Sequence, residues 1–226
     1  MRVWRGGERY PGGDPAAGIE SSHAFSFGAH FDPANLGFGR LIAANEERLA
    51  PGAGFEEHPH SGVEIVSWVL EGELTHESPD GPPVAVRPGD LQVLGAGSGV
   101  RHTERNAGSV PARFLQFWLT PVGEPGEPEH RVVRALPTGE PYPVLRAGAA
   151  LTVHRPGEGE RCDLPAGEWC YAHVAAGSVE FRDRGAAGEH TRYAVAGDAA
   201  RIADAGTVTA VAAEAGTELL VWSPPR

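Results

Sequence analysis

Two short runs, His58-Pro59-His60 and His102-Thr103-Glu104, set four side chains able to bind a metal in two i, i+2 pairs. A β-strand has a side-chain period of two, so each pair would project from one strand face, whereas a helix would splay its members apart. The four can act together only if both runs are strands and the strands lie side by side. Between them come a long apolar run that ends at Glu71-Gly72 and a turn at Arg87-Pro88-Gly89-Asp90, the connections a β-barrel needs to bring such strands together. The spacing predicts one metal ion held inside a barrel.

Composition points the same way. Glycine and proline supply 31 and 20 of the 226 residues, as many short strands joined by tight turns require, and a hydrophobic share of 41% is too high for a disordered chain. The length allows one large or two small domains, each with its own core. The net charge of −11 is spread along the chain and would repel a phosphate backbone, which argues against direct nucleic-acid binding. Every basic residue is arginine; without lysine, Schiff-base chemistry, a pyridoxal-phosphate anchor and a Walker-A loop are excluded. The N-terminal Met1-Arg2-Val3-Trp4-Arg5-Gly6 has no apolar run for a signal peptide or membrane span, so the expected location is the cytoplasm, with Cys162 and Cys170 as free thiols.

Taken in order, the stretch through Leu49 has weak periodicity. Ser26-Phe27 and residues 37–42 read as short strands and 32–35 as a turn, together covering the barrel, with His23 and His30 as loop or surface residues. From residue 48 to 120 strand signals are dense. Glu64 shares the parity of His58 and His60, although Ser61-Gly62 could hold a bulge that resets it; it is either an acceptor orienting a histidine or a residue turned to solvent. His76 is expected at the mouth or surface. Residues 78–83, Asp80 among them, read as a loop. Residues 112–120 alternate, with Phe114, Gln116 and Trp118 on one face and Leu115, Phe117 and Leu119 on the other; Gln116 and Trp118 are candidates for the pocket lining, with core filling the default for Trp118.

Residues 121–128 are dense in proline and glycine and read as a linker. The expected domains are 1–122 and 129–226, joined by 123–128. Beyond the linker the grammar repeats: residues 169–177 parallel 68–72, and Ala196-Gly197-Asp198 parallels Pro88-Gly89-Asp90. No H-x-H precedes Trp169, and residues 204–208 stand where the second ligand pair would fall. The second half is expected to keep the fold without the site.

The spacing of Gly52, His58, His60, Glu64 and Gly72, and then of Gly89, Gly95, Gly97, His102 and Asn106, resembles the two cupin motifs. The runs HPHSGVEIVSWVLEGELTHE, PGDLQVLGAGSGVRHTE and FLQFWLTP resemble the pirin family of bicupins. That resemblance implies an all-β fold of two tandem cupin (jelly-roll) barrels, the N-terminal one metal-binding and the C-terminal one degenerate. It implies His58, His60, His102 and Glu104 as ligands, with the carboxylate from the second motif rather than from Glu64. Three imidazoles and a carboxylate suit one divalent ion; two open positions favour Fe(II), with manganese, nickel, copper and zinc compatible. The resemblance further implies a quercetin 2,3-dioxygenase-like reaction of a flavonol or related phenolic compound with O2, in which Glu104 is ligand and proton acceptor. The alternatives are a non-enzymatic, redox-dependent regulator of a protein partner, and a cupin isomerase or phenolic-binding barrel.

Overall fold

A computed structural model describes the chain apart from Asp80, Ala166, Ala186, Ala187 and Arg226, and describes the backbone alone at Arg184, Gly185, Glu189, Asp204 and Ala205. Asp80 of the expected loop and the side chains of Asp204 and Ala205 therefore lie outside the described residues. Among the described residues every strand pairing is antiparallel, and the strands form four sheets in two compact units, Arg9–Leu136 and Met1–Glu8 with Pro137–Arg226. Each unit is a pair of sheets, the all-β jelly-roll arrangement expected of a cupin.

In the unit Arg9–Leu136 the larger sheet runs in the order Glu129–Val133, Leu91–Gly95, Glu64–Glu71, Ala112–Leu119, Leu41–Leu49, Ile19–His23 and Tyr10–Asp14. The smaller runs Gly54–His60, Val100–Arg105, Leu74–Glu77 and Val84–Val86. Alternation along Ala112–Leu119 sets the interior. Phe114 belongs to an apolar cluster with Ile19, Leu49, Val69, Leu74 and Val86, and Trp118 packs against a second with Val63, Ile65, Leu94 and Ala96. Gln116, between them on the same face, is where the interior turns polar.

The unit boundary differs from the linker read at 123–128. Glu129–Val133 pairs in register with Leu91–Gly95, and Arg2–Trp4 pairs with Ala199–Ala205, so each compact unit takes in a strand from across the expected boundary. The proline-rich run is irregular as expected, but it connects two parts of the first unit. The early stretch also differs. Phe27 and Phe38 make only isolated bridges, whereas Leu41–Leu49 is a nine-residue strand paired with Ala112–Leu119 along its length. Its inward Asn45 and Glu47 are buried polar residues that interrupt the apolar period.

The other unit repeats the plan. Arg161–Leu164, Val208–Ala212, Ser178–Gly185 and Gly188–Val195 take the places of the smaller sheet. The counterpart of the second ligand strand is therefore Val208–Ala212, at the end of the run expected to replace it. The interior is apolar, with Leu164, Val174, Phe181, Val208 and Ala210 in one buried cluster. Both cysteines are free. Among the described residues no helix is long and apolar enough to cross a membrane.

Candidate metal centre and its cavity

The two sequence pairs meet as neighbouring strands. His102 lies opposite His58 and Val100 opposite His60, and the register slips between His102 and Glu104, which faces Phe55. Close approach of the strands needs Gly54: a Cβ there would sit 2.5 Å from the Glu104 carbonyl oxygen and the Arg105 Cα. Ligand-type atoms of His58, His60 and His102 all lie within 4.8 Å of one another, and the same holds for His76, His102 and Glu104. The imidazole centroids are 4.5 Å apart for His58–His102 and 4.7 Å for His58–His60.

The hydrogen bonds decide which atoms face the centre. His58 Nδ1 lies 2.7 Å from the Glu56 carbonyl oxygen. A carbonyl only accepts, so Nδ1 carries the proton and Nε2 presents its lone pair. His102 Nδ1 is 3.2 Å from His76 Nδ1, while His102 Nε2 is buried with no hydrogen-bond partner. Glu104 is 2% exposed and both its oxygens are held, Oε1 by the Gln92 amide and Oε2 by the Gln116 amide, each at 2.8 Å. Trp118 Nε1 donates to Gln116 Oε1 at 2.9 Å and so turns the amide's nitrogen toward Glu104.

Burial dominates the electrostatics. It pushes His102 down to about 3 and His60 to about 4, helped in both by neighbouring imidazoles. Both are thus neutral, lone-pair-bearing groups at ordinary pH. Burial raises the Glu104 carboxyl against the lowering effect of Gln116 and Gln92. The residues present fit a divalent cation: a buried imidazole nitrogen without a partner, two more imidazoles within reach, and a desolvated carboxylate whose lone pairs are only half used.

A cavity of about 410 Å³ opens beside this cluster, with His58, His60, Glu104, Gln116 and Trp118 on one side. Trp118 is half-buried and meets His60 edge-on at 4.9 Å, so it is a cavity wall rather than core filling. Glu64 is buried but is not among the described residues that line the cavity or form the ligand groups. The interior positions of Glu64–Glu71 are the odd ones, where Ser67 meets Gln116 and Val69 joins the core, so Glu64 points away. His58 and His60 stand in the other sheet, which is why parity does not carry across.

Several residues fall differently from the sequence reading. His76 is 1% exposed, faces Glu104 in register and stacks on His130 at 3.9 Å. Its position two residues from core Leu74, on the same strand face, is the signal that places it inside. His23 is buried and, with His30, lines the cavity instead of a loop surface. Gln92 and Glu47 were not singled out at all; each is a polar residue at an inward position of a strand.

The sequence profile of the Pirin family matches residues 8–119. A Mycobacterium tuberculosis protein named "Putative quercetin 2,3-dioxygenase" is 31% identical over 221 residues, covering 90% of this chain and 87% of its own. The Escherichia coli quercetin 2,3-dioxygenase is 38% identical over 104 residues, 46% of this chain and 45% of its own. The crystal structure of the Escherichia coli pirin YhhW in complex with nickel(II) superposes with a TM-score of 0.85 at 26% identity, covering 100% of this chain and 99% of that one.

Proposed function

From its membership in the pirin family, to which this chain belongs, we propose that the protein is a metal-dependent dioxygenase that opens the ring of a flavonol or a related phenol with O2. The observation that carries this reading is the unpartnered, buried His102 Nε2 beside His58, His60 and Glu104, at the side of a cavity large enough for an aromatic ligand. His58, His60, His102 and Glu104 would hold one divalent ion, with Fe(II) the choice that O2 chemistry favours. An ion held there would supply Lewis acidity and O2 chemistry.

The protein's own groups do the rest. His102 Nδ1 and His76 Nδ1 share a hydrogen bond at 3.2 Å; with His102 as its donor, His76 holds the ring in the tautomer whose Nε2 lone pair would serve as a ligand. Glu104 accepts the proton of the substrate hydroxyl: each oxygen already takes one amide N–H, and each has a second lone pair to use. Burial, which raises this carboxyl, makes it a better proton acceptor. Trp118, Phe27 and Phe55 present aromatic faces and edges to the substrate and exclude water. The overall change takes up one O2, breaks two ring bonds and releases carbon monoxide and a depside.

The test is anaerobic loading with each first-row divalent metal, addition of a flavonol and then O2. Carbon monoxide and a depside in equal amounts are expected; no turnover with any of the metals overturns the reading.

A further inference from the structure

Glu104 is braced twice, and the two braces share one plan. Gln116 holds Oε2 with its amide nitrogen, while Trp118 Nε1 donates to the Gln116 amide oxygen. Gln92 holds Oε1 with its amide nitrogen, and His130 Nε2 lies 3.4 Å from the Gln92 amide oxygen. A carboxamide oxygen only accepts, so this second bond puts a proton on His130 Nε2. Each glutamine is thus oriented by a ring N–H. The orientation matters because the donor and acceptor ends of an amide have nearly the same shape. Turned over, either glutamine would set an oxygen against a buried carboxylate.

His130 also reaches the support of a second ligand. Its ring stacks on His76, with centroids 3.9 Å apart and planes 13° from parallel, and His76 Nδ1 is the partner of His102 Nδ1. His76 Nε2 is buried with no hydrogen-bond partner, so hydrogen bonding fixes that ring at one end only and packing has to fix its plane. Burial lowers both imidazoles, His76 to about 3, so two uncharged rings face each other. His76, Gln92 and His130 are not among the described residues that line the cavity. Whatever they contribute there passes through His102 and Glu104.

The backbone delivers His130 to this place. It belongs to Glu129–Val133, the strand beyond the proline-rich run and the end strand of the larger sheet, where it lies opposite Leu94 while Val132 lies opposite Gln92. Val132 and Leu94 pack in the two apolar clusters of this unit, so His130 and Gln92 are diagonal neighbours on the inner face. The chain just before the strand is pinned: the Ser98 N–H donates to the Gly126 carbonyl at 2.8 Å, and Gly97 has no room for a Cβ against that oxygen.

We propose that His130 is a positioning residue of the candidate centre, one imidazole that aims the Gln92 amide at Glu104 and sets the His76 ring against His102. Both ligands of the Val100–Arg105 strand then depend on a strand from beyond the linker. The assignment rests on His102 and Glu104 being ligands and is independent of which reaction the centre performs.

The test loads the protein with cobalt(II), whose visible bands report the number and arrangement of its ligands, and measures affinity by chelator competition. His130→Phe keeps a flat ring against His76 and loses the N–H; His130→Gln keeps a donor and loses the ring; His130→Ala loses both. Affinity should fall about fivefold or more in each of the first two and about 10–100-fold in the third, the scale of removing an outer support of a ligand. The cobalt bands should shift in all three; a residue that merely stabilised the edge strand would lower the urea midpoint and leave the bands of the bound ion unchanged. In a Gln92→Leu background His130→Phe should alter affinity by less than about twofold, because the route to Glu104 is already cut. Should His130→Ala not fold, His130→Phe and His130→Gln, which fill similar space, decide the matter. Wild-type affinity and bands in every folded His130 variant overturn the proposal, and so does a His130→Phe effect that persists undiminished beside Gln92→Leu. A wild type that binds no cobalt removes the ligand set and the positioning residue together. Carbon monoxide release is not read, so failure of the dioxygenase reaction leaves a positive result standing.

Discussion

Replacing Glu47 by glutamine should change how the protein's stability depends on pH, and the size of the change follows from the carboxyl's surroundings. The group titrates near 4.5 when solvated and is raised to about 8 in the fold, chiefly by burial. Below the lower value both folded and unfolded chains carry the proton, and Glu47 contributes nothing to the pH dependence. Above it the unfolded chain ionises while the folded one does not, so the folded state loses about 1.4 kcal/mol per pH unit until its own value is reached. Over 3.5 units, 8 minus 4.5, the loss is about 5 kcal/mol. Glu47→Gln keeps the shape and a donor toward the cavity but cannot ionise. The variant should therefore gain on the wild type progressively between about 4.5 and about 8, with no further gain above that window. Urea unfolding of both proteins across the interval measures this, and comparing slopes verifies that both expose the same surface. Every other titrating group is common to the two chains, so their difference reports Glu47 together with its coupling to Glu104 and Glu46. Parallel stability curves would refute the reasoning, because they would mean that the carboxyl is ionised and solvated.

Three further outcomes concern the candidate centre. His102→Ala removes the imidazole shared by both ligand groups, so elemental analysis should find bound metal reduced from one equivalent to near zero. Gln116→Leu takes a hydrogen bond from Glu104 Oε2 and raises that carboxyl further; chelator competition should show metal affinity weaker by about 10–100-fold. That deficit should be largest at low pH, where the metal has to displace a proton from Glu104, and fade as pH rises. His76→Phe keeps the stacked ring against His130 but deletes the partner of His102 Nδ1, and metal affinity should fall by about 10–100-fold with the fold intact by circular dichroism.

What could be read from the sequence was whatever a local pattern encodes. The spacing of His58, His60, His102 and Glu104 is the period of a strand, and the structure sets them on two paired strands. The alternation of residues 112–120 correctly separated an inner from an outer face. The failures have one physical origin. Asn45, Glu47 and Gln92 are polar at inward strand positions, so they lower the apolar contrast on which strand recognition depends, and Leu41–Leu49 was lost for that reason. Glu64 was left between two readings because parity does not carry over a connection that changes sheets, and His76 was expected at the mouth or surface because its strand is only four residues long. The unit boundary was misread because prolines and glycines show where a chain is irregular, not which strands it joins. The pairing of Glu129–Val133 with Leu91–Gly95 is a long-range contact that no local composition announces.

The two units together show what the site demands of a jelly roll. Cys162 faces Ala210 across the smaller sheet of one unit, in the strand pair that matches His58 facing His102 in the other. Around Ala210 the interior closes with Leu164, Val208 and Phe181, and none of these side chains needs a hydrogen bond. Around His102 every inward polar group needs a partner. Glu104 has two glutamines, Gln116 has Trp118, and His102 has His76. A buried polar network has to be satisfied as a whole or it costs more than an apolar core, so the ligands cannot be lost one at a time without stranding their supports. An apolar interior carries no such constraint and is the cheaper way to fill the same frame. The unit that keeps the expensive interior is the one that holds the candidate centre, where His102 Nε2 is one of the buried atoms still without a hydrogen-bond partner.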